Sequence, residues 1–460
     1  MENNTKENTQ QLDYKPVYSK PKKLYIETYG CQMNVSDSEI VGSIMKGIGY
    51  EQNDSPENAD VIFINTCSIR DNAEQRVRKR LREIKALKKK NPNLTVGILG
   101  CMAERLKEKL IEEQEFVDLI VGPDAYRELP NMIKTVKTGR KAINVLLSEE
   151  ETYAEIEPVR YGDNGISAFI SIMRGCQNWC TYCVVPFTRG KERSRDPETI
   201  VKEAEELFAK GYKEVTLLGQ NVNSYQWKSE ESEVGFHDLL RMVSEVSPQL
   251  RVRFSTSHPK DISNDLIETI AAHHNICNYI HLPVQSGSST VLKKMHRKYT
   301  REWYMERIET IKKLIPDVGL STDIIAGFCT ETEEDHQQTL SLMKWVGYDY
   351  AFMFKYSERP DTIAAKRFDD DVPEEVKSRR LQEIINLQQE MSLEQNKRDI
   401  GKTFEVLVEK VSKKSSEELA GRNSQNKMIV FPRKDFKAGD YVMVKVHDCT
   451  AATLIGEAVS

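Results

Sequence analysis

The sequence predicts an α/β protein built from a parallel α/β domain, a partial α/β barrel and a small antiparallel β-barrel. Two blocks in which short apolar runs alternate with amphipathic helical stretches predict the first two parts. A third block of β-type runs separated by polar turns predicts the last part. The length of 460 residues is about three times that of a typical domain and agrees with two to four domains.

The first block follows a polar tail at residues 1–22, which has no apolar period and is expected to be mobile. Its apolar runs alternate with helical patterns and fall at residues 24–29, 61–64, 96–99 and 117–121. Strands that alternate with helices predict a parallel sheet. We therefore expect one domain over residues 23–147, followed by an acidic linker.

The second block repeats this alternation over a longer span. Its six strand candidates are residues 168–173, 214–218, 252–255, 279–284, 319–325 and 350–354. Six βα units indicate an open or partial α/β barrel over residues 158–394, which a long helix closes. Four β-type runs between residues 403 and 456 then predict a small antiparallel barrel over residues 395–460.

The composition excludes several classes of protein. With 39% hydrophobic and 30% charged residues, the chain is neither collagen-like nor mostly disordered. The net charge of −5 gives no global sign of nucleic-acid binding. The sequence has no apolar run of about 18 residues that would span a membrane and no pattern of a secretory leader. We expect a cytoplasmic protein whose nine cysteines are ligands, nucleophiles or buried residues rather than disulfides.

Three cysteines, Cys176, Cys180 and Cys183, form a C-x₃-C-x₂-C pattern directly after the first strand candidate of the second block. We call them the contiguous triplet. Three thiolates this close can ligate three irons of a 4Fe–4S cluster and leave the fourth iron open to a small molecule. A structural zinc site would need a fourth ligand nearby, and three unrelated buried cysteines are the weaker interpretation in a reduced compartment. The pattern therefore predicts an iron–sulfur cluster with an open site.

A dispersed triplet consists of Cys31, Cys67 and Cys101, which are 36 and 34 residues apart. Each follows an apolar run and so falls at the carboxyl end of a predicted strand, where parallel sheets gather their sites. Gly30 and Gly100 would allow tight turns there. Alone, the pattern fits three packed core cysteines equally well, but beside the contiguous triplet a second cluster is favoured. The other cysteines are expected to be small buried residues: Cys277, Cys329 and Cys449.

The contiguous triplet, with Tyr182 before its last cysteine, resembles the radical S-adenosylmethionine (SAM) superfamily. Motifs that resemble its methylthiotransferase family are residues 29–34, 65–70, 100–105, 174–189, 281–288 and 295–297. The resemblance covers residues 23–460 and is strongest to the branch that modifies isopentenylated tRNA. It implies an N-terminal Rossmann-like methylthiotransferase domain, a central radical SAM partial (β/α)₆ barrel and a C-terminal RNA-binding TRAM barrel.

The resemblance also implies the chemistry. Sulfur insertion at an aromatic C–H bond needs a hydrogen-abstracting agent that no side chain supplies, so cofactors rather than catalytic side chains carry that step. A 4Fe–4S cluster on the contiguous triplet would bind SAM and cleave it to a 5′-deoxyadenosyl radical. A second 4Fe–4S cluster on the dispersed triplet would hold the sulfur, which another SAM methylates. The implied partners are tRNA carrying N6-isopentenyladenosine, an electron donor such as flavodoxin or ferredoxin, and a sulfur or cluster carrier.

The resemblance further implies which residues bind SAM. They are Tyr182, Gly219, Gln220, Asn221, Gln285, Asp323, Ile325 and Gly327. Taken alone, Gly219 and Gly327 would be ordinary strand-end glycines. One segment departs from the family, which usually has Gly-Phe-Pro-Gly-Glu where residues 327–331 read Gly-Phe-Cys-Thr-Glu. That departure affects the expected shape of the loop and leaves the expected fold unchanged.

Two surfaces are candidates for RNA binding. Residues 76–90 hold nine Lys and Arg and one acid, and their apolar residues share one helical face, which leaves the cations outward. A solvated surface helix explains this pattern as well as contact with the tRNA backbone does. The second surface is the C-terminal barrel. The candidate cations on the two surfaces are Arg76, Arg78, Lys79, Arg80, Arg82, Lys402 and Arg422.

Two further functions compete with modification of isopentenylated tRNA. A related methylthiotransferase could act on threonylcarbamoyladenosine in tRNA or on an aspartate of a ribosomal protein, but residues 32–34 resemble the isopentenyl-type enzyme. An iron–sulfur RNA-binding regulator would need neither an open iron nor a SAM pocket. The block of six predicted strands favours an enzyme over such a regulator.

Overall fold

The computed structural model describes residues 20–67, 71–160 and 164–459. Most of the predicted tail, residues 1–19, therefore lies outside the described residues. The described chain forms two compact units: one contains the residues up to 148 with 156–159, and the other contains residues 149–155 and those from 160 onward. Within the described part of the chain, no helix combines the length and apolar character needed to cross a membrane.

The first unit is built on one six-stranded parallel sheet in the order β2-β1-β3-β4-β5-β6. Its strands are β1 (Lys22–Tyr29), β2 (Tyr50–Gln52), β3 (Val61–Thr66), β4 (Thr95–Gly100), β5 (Leu119–Val121) and β6 (Ala142–Asn144). Its helices are α1 (Gln32–Gly47), α2 (Asp71–Lys90), α3 (Cys101–Leu106), α4 (Glu108–Glu113) and α5 (Leu129–Lys137). The sequence does not predict β2 and β6, because three residues at a sheet edge are too few for an apolar run.

The two central strands explain why the sequence specifies this sheet. Every residue of β3 and of β4 is buried, so both strands appear in the sequence as continuous apolar runs. Helix α2 packs its predicted apolar face here, since Val77, Leu81 and Ile84 are fully buried in one cluster with Ile62 and Ile98. Each such side chain stabilises the unit by about 1.5–3 kcal/mol relative to exposure. The predicted parallel α/β domain is confirmed.

The second unit begins with an α/β region. Its strands are β7 (Ser167–Ser171), β8 (Met173–Arg174), β9 (Arg193–Ser194), β10 (Glu214–Leu218), β11 (Gln226–Lys228), β12 (Glu233–Gly235), β13 (Arg251–Ser255), β14 (Tyr279–His281), β15 (Gly319–Ala326) and β16 (Tyr350–Lys355). Its helices are α6 (Val185–Arg189), α7 (Pro197–Ala209), α8 (Phe236–Ser244), α9 (Asn264–Ala272), α10 (Ser289–Lys294), α11 (Arg301–Leu314), α12 (Glu333–Val346), α13 (Ile363–Arg367) and α14 (Glu374–Lys397).

Six of these strands match the six predicted ones and form two parallel sheets, β13-β10-β7 and β14-β15-β16. An isolated parallel bridge between Val252 and Ile276 links the edge of the first sheet to the segment that precedes β14. Side chains cap the N-termini of several helices. For example, the Thr300 and Thr332 hydroxyls accept backbone N–H groups of α11 and α12. This arrangement confirms the predicted partial α/β barrel.

The C-terminal part of the second unit is a closed five-stranded barrel in the order β17-β18-β19-β21-β20. Its strands are β17 (Thr403–Val411), β18 (Glu418–Arg422), β19 (Met428–Pro432), β20 (Tyr441–Cys449) and β21 (Leu454–Ala458). The sequence predicts four of them and misses β18, whose charged ends and Gly421 interrupt the apolar alternation. The pairing is antiparallel as predicted, except that β19 and β21 run parallel and close the barrel.

Within the second unit, the small barrel packs against the amino ends of the α/β strands. Arg251 donates to the carbonyl oxygen of Arg422 at 2.8 Å, and Arg253 donates to that of Asn423 at 2.7 Å. The hydroxyl of Tyr441 donates to a loop carbonyl directly before β10, at 3.0 Å. The carboxyl ends of the same strands, where α/β proteins bind ligands, stay clear of this contact.

Candidate functional site

The contiguous triplet lies in the loop between β8 and α6, at the carboxyl end of the first barrel strand. Cys180 is buried, and Cys176 and Cys183 are half-buried. Backbone hydrogen bonds fold the loop around the thiols, because the Cys176 N–H donates to the carbonyl of Gly190 at 3.1 Å and the Cys183 N–H donates to that of Cys180 at 3.0 Å. The three cysteines therefore lie within one folded loop.

The electrostatics of these thiols indicate what would bind them. Burial raises the pKa of Cys176 to about 11, and the charges of Glu192 and Cys180 add to the shift. Burial, followed by the charges of Cys180 and Cys176, raises the pKa of Cys183 as well. Three ionised thiols without a counter-charge would repel one another, whereas bound cationic irons reverse this effect. The donor set thus fits an iron–sulfur cluster with three protein ligands.

A group of buried polar atoms lacks hydrogen-bond partners among the described residues at the carboxyl ends of β7, β10 and β13. They belong to Ser171, Gln220, Asn221, Ser257 and His258. The register aligns Ser171, Leu218 and Ser255 across the three strands, so these groups share one edge of the sheet. Buried polar atoms are nearly always hydrogen-bonded, so a polar ligand is expected to satisfy them. SAM, with its amino, carboxylate and ribose groups, fits this demand.

The predicted SAM-binding residues fall into two groups. Gly219, Gln220 and Asn221 follow β10, where Asn221 Nδ2 donates to Asp261 at 2.8 Å. Residues Asp323, Ile325 and Gly327 lie along or directly after β15, and Gln285 bridges to that strand at Ile324. Tyr182, within the triplet loop, packs edge-on against Phe328, with ring centroids 6.5 Å apart. The structure thus brings Tyr182 to the β15 group, and both groups lie at carboxyl ends of strands.

The loop that departs from the family keeps a turned backbone. Thr330, at the position of the family's usual glycine, has φ = 64°, a left-handed conformation that costs a non-glycine residue about 1–2 kcal/mol. The Gly327 N–H donates to Glu331 at 2.9 Å, and Arg380 pairs with the same carboxylate at 3.0 Å. Cys329 is buried beside Phe328. A positive φ and a closed turn are therefore retained without glycine.

The dispersed triplet is brought together by strand register. Tyr29 pairs with Thr66, and Thr66 pairs with Gly100, so β1, β3 and β4 end level with one another. Cys67 and Cys101 directly follow their strands and are buried, while Cys31 lies two residues beyond β1 and is exposed. Adjacent strands lie about 4.8 Å apart. The three thiols are thus neighbours at one carboxyl edge, although residues 68–70 of the second motif lie outside the described residues.

Two glycines and two asparagines shape this edge. Gly30 has φ = 154°, and a Cβ there would lie 2.8 Å from Cys67 Cβ. Gly100 has φ = 87°, and a Cβ there would lie 2.7 Å from a backbone oxygen of β3. Asn34 accepts the Cys31 N–H at 3.2 Å, and the Asn65 amide donates to the Asn34 carbonyl at 2.8 Å. The contact between these asparagines was not predicted, although both lie within family motifs, at residues 29–34 and 65–70.

The predicted RNA-binding cations differ in their surroundings. Arg76, Lys79 and Arg82 are exposed on α2, whereas Arg78 pairs with Glu113 at 2.8 Å and Arg80 with Glu27 at 2.8 Å. In the C-terminal barrel, Lys402 pairs with Asp399 at 3.0 Å and Arg422 pairs with Glu409 at 2.8 Å. Of the remaining cysteines, Cys277 and Cys329 are buried as predicted, but Cys449 is half-buried because it lies at the end of β20.

Three family models match the chain. The model described as Uncharacterized protein family UPF0004 matches residues 23–122, Radical SAM superfamily matches residues 170–343 and TRAM domain matches residues 397–459. Among solved structures, the radical S-adenosylmethionine methyltransferase TsrM from Kitasatospora setae is similar in fold. Its cobalamin- and [4Fe-4S]-bound form has a TM-score of 0.55 at 13% identity, with 75% of this chain and 74% of that chain covered.

The curated relatives are much more similar in sequence. A tRNA-2-methylthio-N(6)-dimethylallyladenosine synthase of Amoebophilus asiaticus is 60% identical over 95% of this chain and 92% of its own length. One of Christiangramia forsetii is 56% identical over 97% of this chain and 96% of its own length. The radical SAM match implies a 4Fe–4S cluster and SAM, and excludes the non-enzymatic alternative. The chain therefore belongs to the tRNA-2-methylthio-N(6)-dimethylallyladenosine synthase family of radical SAM enzymes.

Proposed function

We propose that this enzyme inserts a methylthio group at carbon 2 of N6-(dimethylallyl)adenosine next to the anticodon of tRNA. The observation that carries the proposal is the presence, in one chain, of a three-thiol loop and three thiols at level strand ends. Relatives that share 56–60% identity over nearly the full chain are named for this product. One SAM would donate the methyl group, and a second would be the radical source.

The contiguous triplet would hold the cluster that binds SAM. When bound, this cluster and SAM supply a hydrogen-abstracting agent that no amino-acid side chain provides. Gln220, Ser171 and His258 would bind the polar groups of SAM with their buried, unpartnered atoms. Burial and the charge of Arg297 hold the pKa of His258 well below its usual range. Its Nδ1 accepts a backbone N–H at 3.2 Å, so Nε2 carries the proton and would donate.

The dispersed triplet would hold a second 4Fe–4S cluster, which carries the sulfur to be transferred. An iron ligand is a thiolate, and Cys31 stands directly before helix α1. Asn34 would hold the Cys31 backbone in place, because its side-chain oxygen accepts the Cys31 N–H at 3.2 Å. Cys31 is exposed. The alternative interpretation, three cysteines packed in the core, does not explain that exposure.

The substrate would be bound through its backbone and its extruded base. The exposed cations Arg76, Lys79 and Arg82 on α2 are suited to tRNA phosphates. Carbon 2 of adenine is inaccessible in a stacked helix, so the target base must leave the stack. A flavodoxin or ferredoxin would supply electrons, and a sulfur or cluster carrier would replace the lost sulfur. Action on tRNA agrees with a cytoplasmic location.

Nucleoside analysis of tRNA tests the proposal. Anaerobically reconstituted enzyme, reductant and SAM are incubated separately with isopentenylated and with threonylcarbamoylated tRNA, and the digested nucleosides are analysed by mass spectrometry. We expect a methylthio adduct only on the isopentenylated nucleoside, and on the order of eight irons per chain. An adduct only on the threonylcarbamoylated nucleoside would assign the enzyme to the other branch. SAM cleavage without an adduct on either tRNA would contradict both substrates and leave the ribosomal-protein aspartate.

A further inference from the structure

A buried arginine lies against the contiguous triplet. Arg297 is 4% exposed, and each of its donors has a partner. Nη1 donates to Cys180 Sγ at 3.2 Å, Nη2 donates to the carbonyl of Pro283 at 2.7 Å, and Nε donates to the Tyr299 hydroxyl at 2.9 Å. Residues 295–297 match a family motif, yet the function proposed above gives Arg297 no direct role.

The charge of Arg297 has no carboxylate partner among the described residues. Other buried arginines of the same unit do have one: Arg195 lies against Glu203, and Arg253 lies against Glu214. The ionisable groups that interact most strongly with Arg297 are instead Tyr299, Tyr182 and Cys180. Because an unpaired buried charge costs several kcal/mol, an anion is expected beside this guanidinium. Phenols such as Tyr299 and Tyr182 stay protonated near neutral pH, so the sulfur of Cys180, as a thiolate ligand of the cluster, is the group that becomes the anion.

The loop and the arginine are fixed relative to each other. The segment after α10 holds the triplet loop from one side: the Thr181 N–H donates to the carbonyl of Met295 at 3.1 Å, and the Thr181 hydroxyl donates to that of Lys294 at 2.9 Å. His296 Nδ1 donates to the carbonyl of Trp179 at 3.2 Å. These contacts flank Cys180 on both sides. The approach of Arg297 to the sulfur is therefore built into the fold and does not depend on a mobile side chain.

A cluster held by three thiolates carries one negative charge when oxidised and two when reduced. A hydrogen bond to a ligand sulfur and a nearby positive charge both stabilise the more negative form. Arg297 supplies the two effects together in a buried site, where charges are weakly screened. Its contribution is therefore larger in the reduced state than in the oxidised state.

We propose that Arg297 is a positioning residue that raises the reduction potential of the cluster on the contiguous triplet, through its hydrogen bond to Cys180 and its uncompensated charge. The electron comes from a low-potential one-electron donor and enters the cluster without a proton or a bond change. This inference rests on the proposed function only in taking the contiguous triplet as the cluster ligands.

An EPR-monitored redox titration tests the inference. The full chain carries Cys31→Ala, Cys67→Ala and Cys101→Ala, so that only the cluster of interest is observed. Arg297→Gln is compared with this parent. At a potential near the parent midpoint, we expect the ratio of reduced to oxidised cluster to fall about tenfold in Arg297→Gln. That change corresponds to a midpoint about 59 mV more negative for one electron.

Three further variants separate charge, orientation and general structure. Arg297→Lys keeps the charge and loses the fork, so its midpoint should lie between those of the parent and Arg297→Gln. Tyr299→Phe leaves Arg297 in place but removes the hydroxyl that accepts from Nε, and should produce a smaller shift of the same sign. Arg301→Gln is the matched control, because Arg301 donates to the carbonyl of Gly287 at 3.0 Å and none of its side-chain hydrogen bonds among the described residues reaches a cysteine. Its midpoint should equal that of the parent.

The outcomes distinguish the inference from the proposed function. If the parent binds no cluster or does not cleave SAM, the proposed function fails whatever Arg297 does. If every variant holds its cluster and Arg297→Gln has the parent midpoint, the inference is overturned. If Arg297→Gln and Arg297→Lys remain folded by circular dichroism but take up no iron, Arg297 acts only in cluster assembly and the redox role is likewise overturned.

Discussion

The two cysteine triplets are assembled in different ways. The contiguous triplet lies within one short loop, where backbone hydrogen bonds and the segment after α10 fix its three thiols. The dispersed triplet draws on three strands, and its thiols meet only because β1, β3 and β4 end in register. A local loop can gather ligands before the domain is complete, whereas strand ends gather them only after the sheet has formed. We therefore expect a cluster on the dispersed triplet to be the more closely coupled to folding.

The largest expected effect comes from removing each triplet in turn. Replacing Cys176, Cys180 and Cys183 by Ala should remove about four irons and abolish both SAM cleavage and tRNA modification. Replacing the dispersed triplet by Ala should remove the same amount of iron and abolish modification, yet preserve SAM cleavage. Iron analysis and quantification of 5′-deoxyadenosine check the contrast.

The matched control for this experiment is Cys277→Ala, which removes a buried cysteine that belongs to neither triplet. Its iron content should equal that of the unaltered enzyme. Retention of modification after loss of the dispersed triplet would mean that these three cysteines are structural. In that case only the contiguous triplet would bind a cluster, and the dispersed triplet would serve packing alone.

A smaller change at one strand end should impair iron binding by the dispersed triplet alone, without removing a cysteine. Gly100→Ala places a methyl group 2.7 Å from a backbone oxygen of β3, at φ = 87°. Gly139→Ala is the matched control, with φ = 83° and no atom within 4 Å of the added carbon. Both variants place a side chain at positive φ, and at Gly100 the ψ of −158° lies in a region that is essentially restricted to glycine and costs about 1–3 kcal/mol. Only Gly100→Ala should lose the iron of the dispersed triplet, as measured by iron content and by EPR.

The succession of strands and helices along the chain and the placement of cysteines at strand ends could be predicted, because local patterns determine both. Continuous apolar runs mark β3 and β4, since these strands are buried on both faces. Each cysteine of the dispersed triplet lies two or three residues after a predicted strand, so its position at a sheet edge follows from topology. The short edge strands β2 and β6 leave no comparable pattern.

What could not be predicted depends on contacts between distant residues. Nothing in the sequence near Arg297 indicates that it reaches Cys180, more than 100 residues earlier, at 3.2 Å. The Asn34–Asn65 pair likewise joins two segments that only the register brings together. For Lys402 and Arg422, the sequence indicates positive charge but not the carboxylates that pair with it.

Two buried glutamates, Glu104 in the first unit and Glu331 in the second, should make the stability of the protein depend on pH. Burial raises the pKa of Glu104, near the dispersed triplet, to about 7, with Lys107 opposing the shift. The folded state thus binds a proton that the unfolded chain, with a carboxyl pKa of about 4.3, has already lost. Stability should therefore fall as the pH rises from about 4.5 to about 7. In Glu104→Gln this loss should shrink by about 1–3 kcal/mol, measured by urea unfolding of the apoprotein at pH 5 and pH 8.

Glu331→Gln is the counterpart in the second unit. Burial also raises the pKa of Glu331 to about 7, but its carboxylate accepts from Gly327 at 2.9 Å and pairs with Arg380 at 3.0 Å. Removing its charge leaves Arg380 with less compensation, so this variant should be destabilised at pH 8. Equal responses of the two variants would show that burial alone, and not pairing, decides how each acid affects stability.

The smallest expected effect is on tRNA affinity. The experiment compares substitutions of exposed cations in the first unit with substitutions of paired cations in the second. Changing Arg76, Lys79 and Arg82 on α2 to Ala should weaken tRNA binding severalfold. The plot of log association constant against log salt concentration should also become less steep, by about 0.7–0.9 for each phosphate that the variant no longer neutralises. Changing Lys402 and Arg422 to Ala should have less effect, because Asp399 and Glu409 already neutralise them. Fluorescence anisotropy with labelled tRNA at several salt concentrations measures both slopes. A larger slope change for the paired cations would mean that tRNA displaces their carboxylates, and would transfer the main RNA-binding surface to the C-terminal barrel.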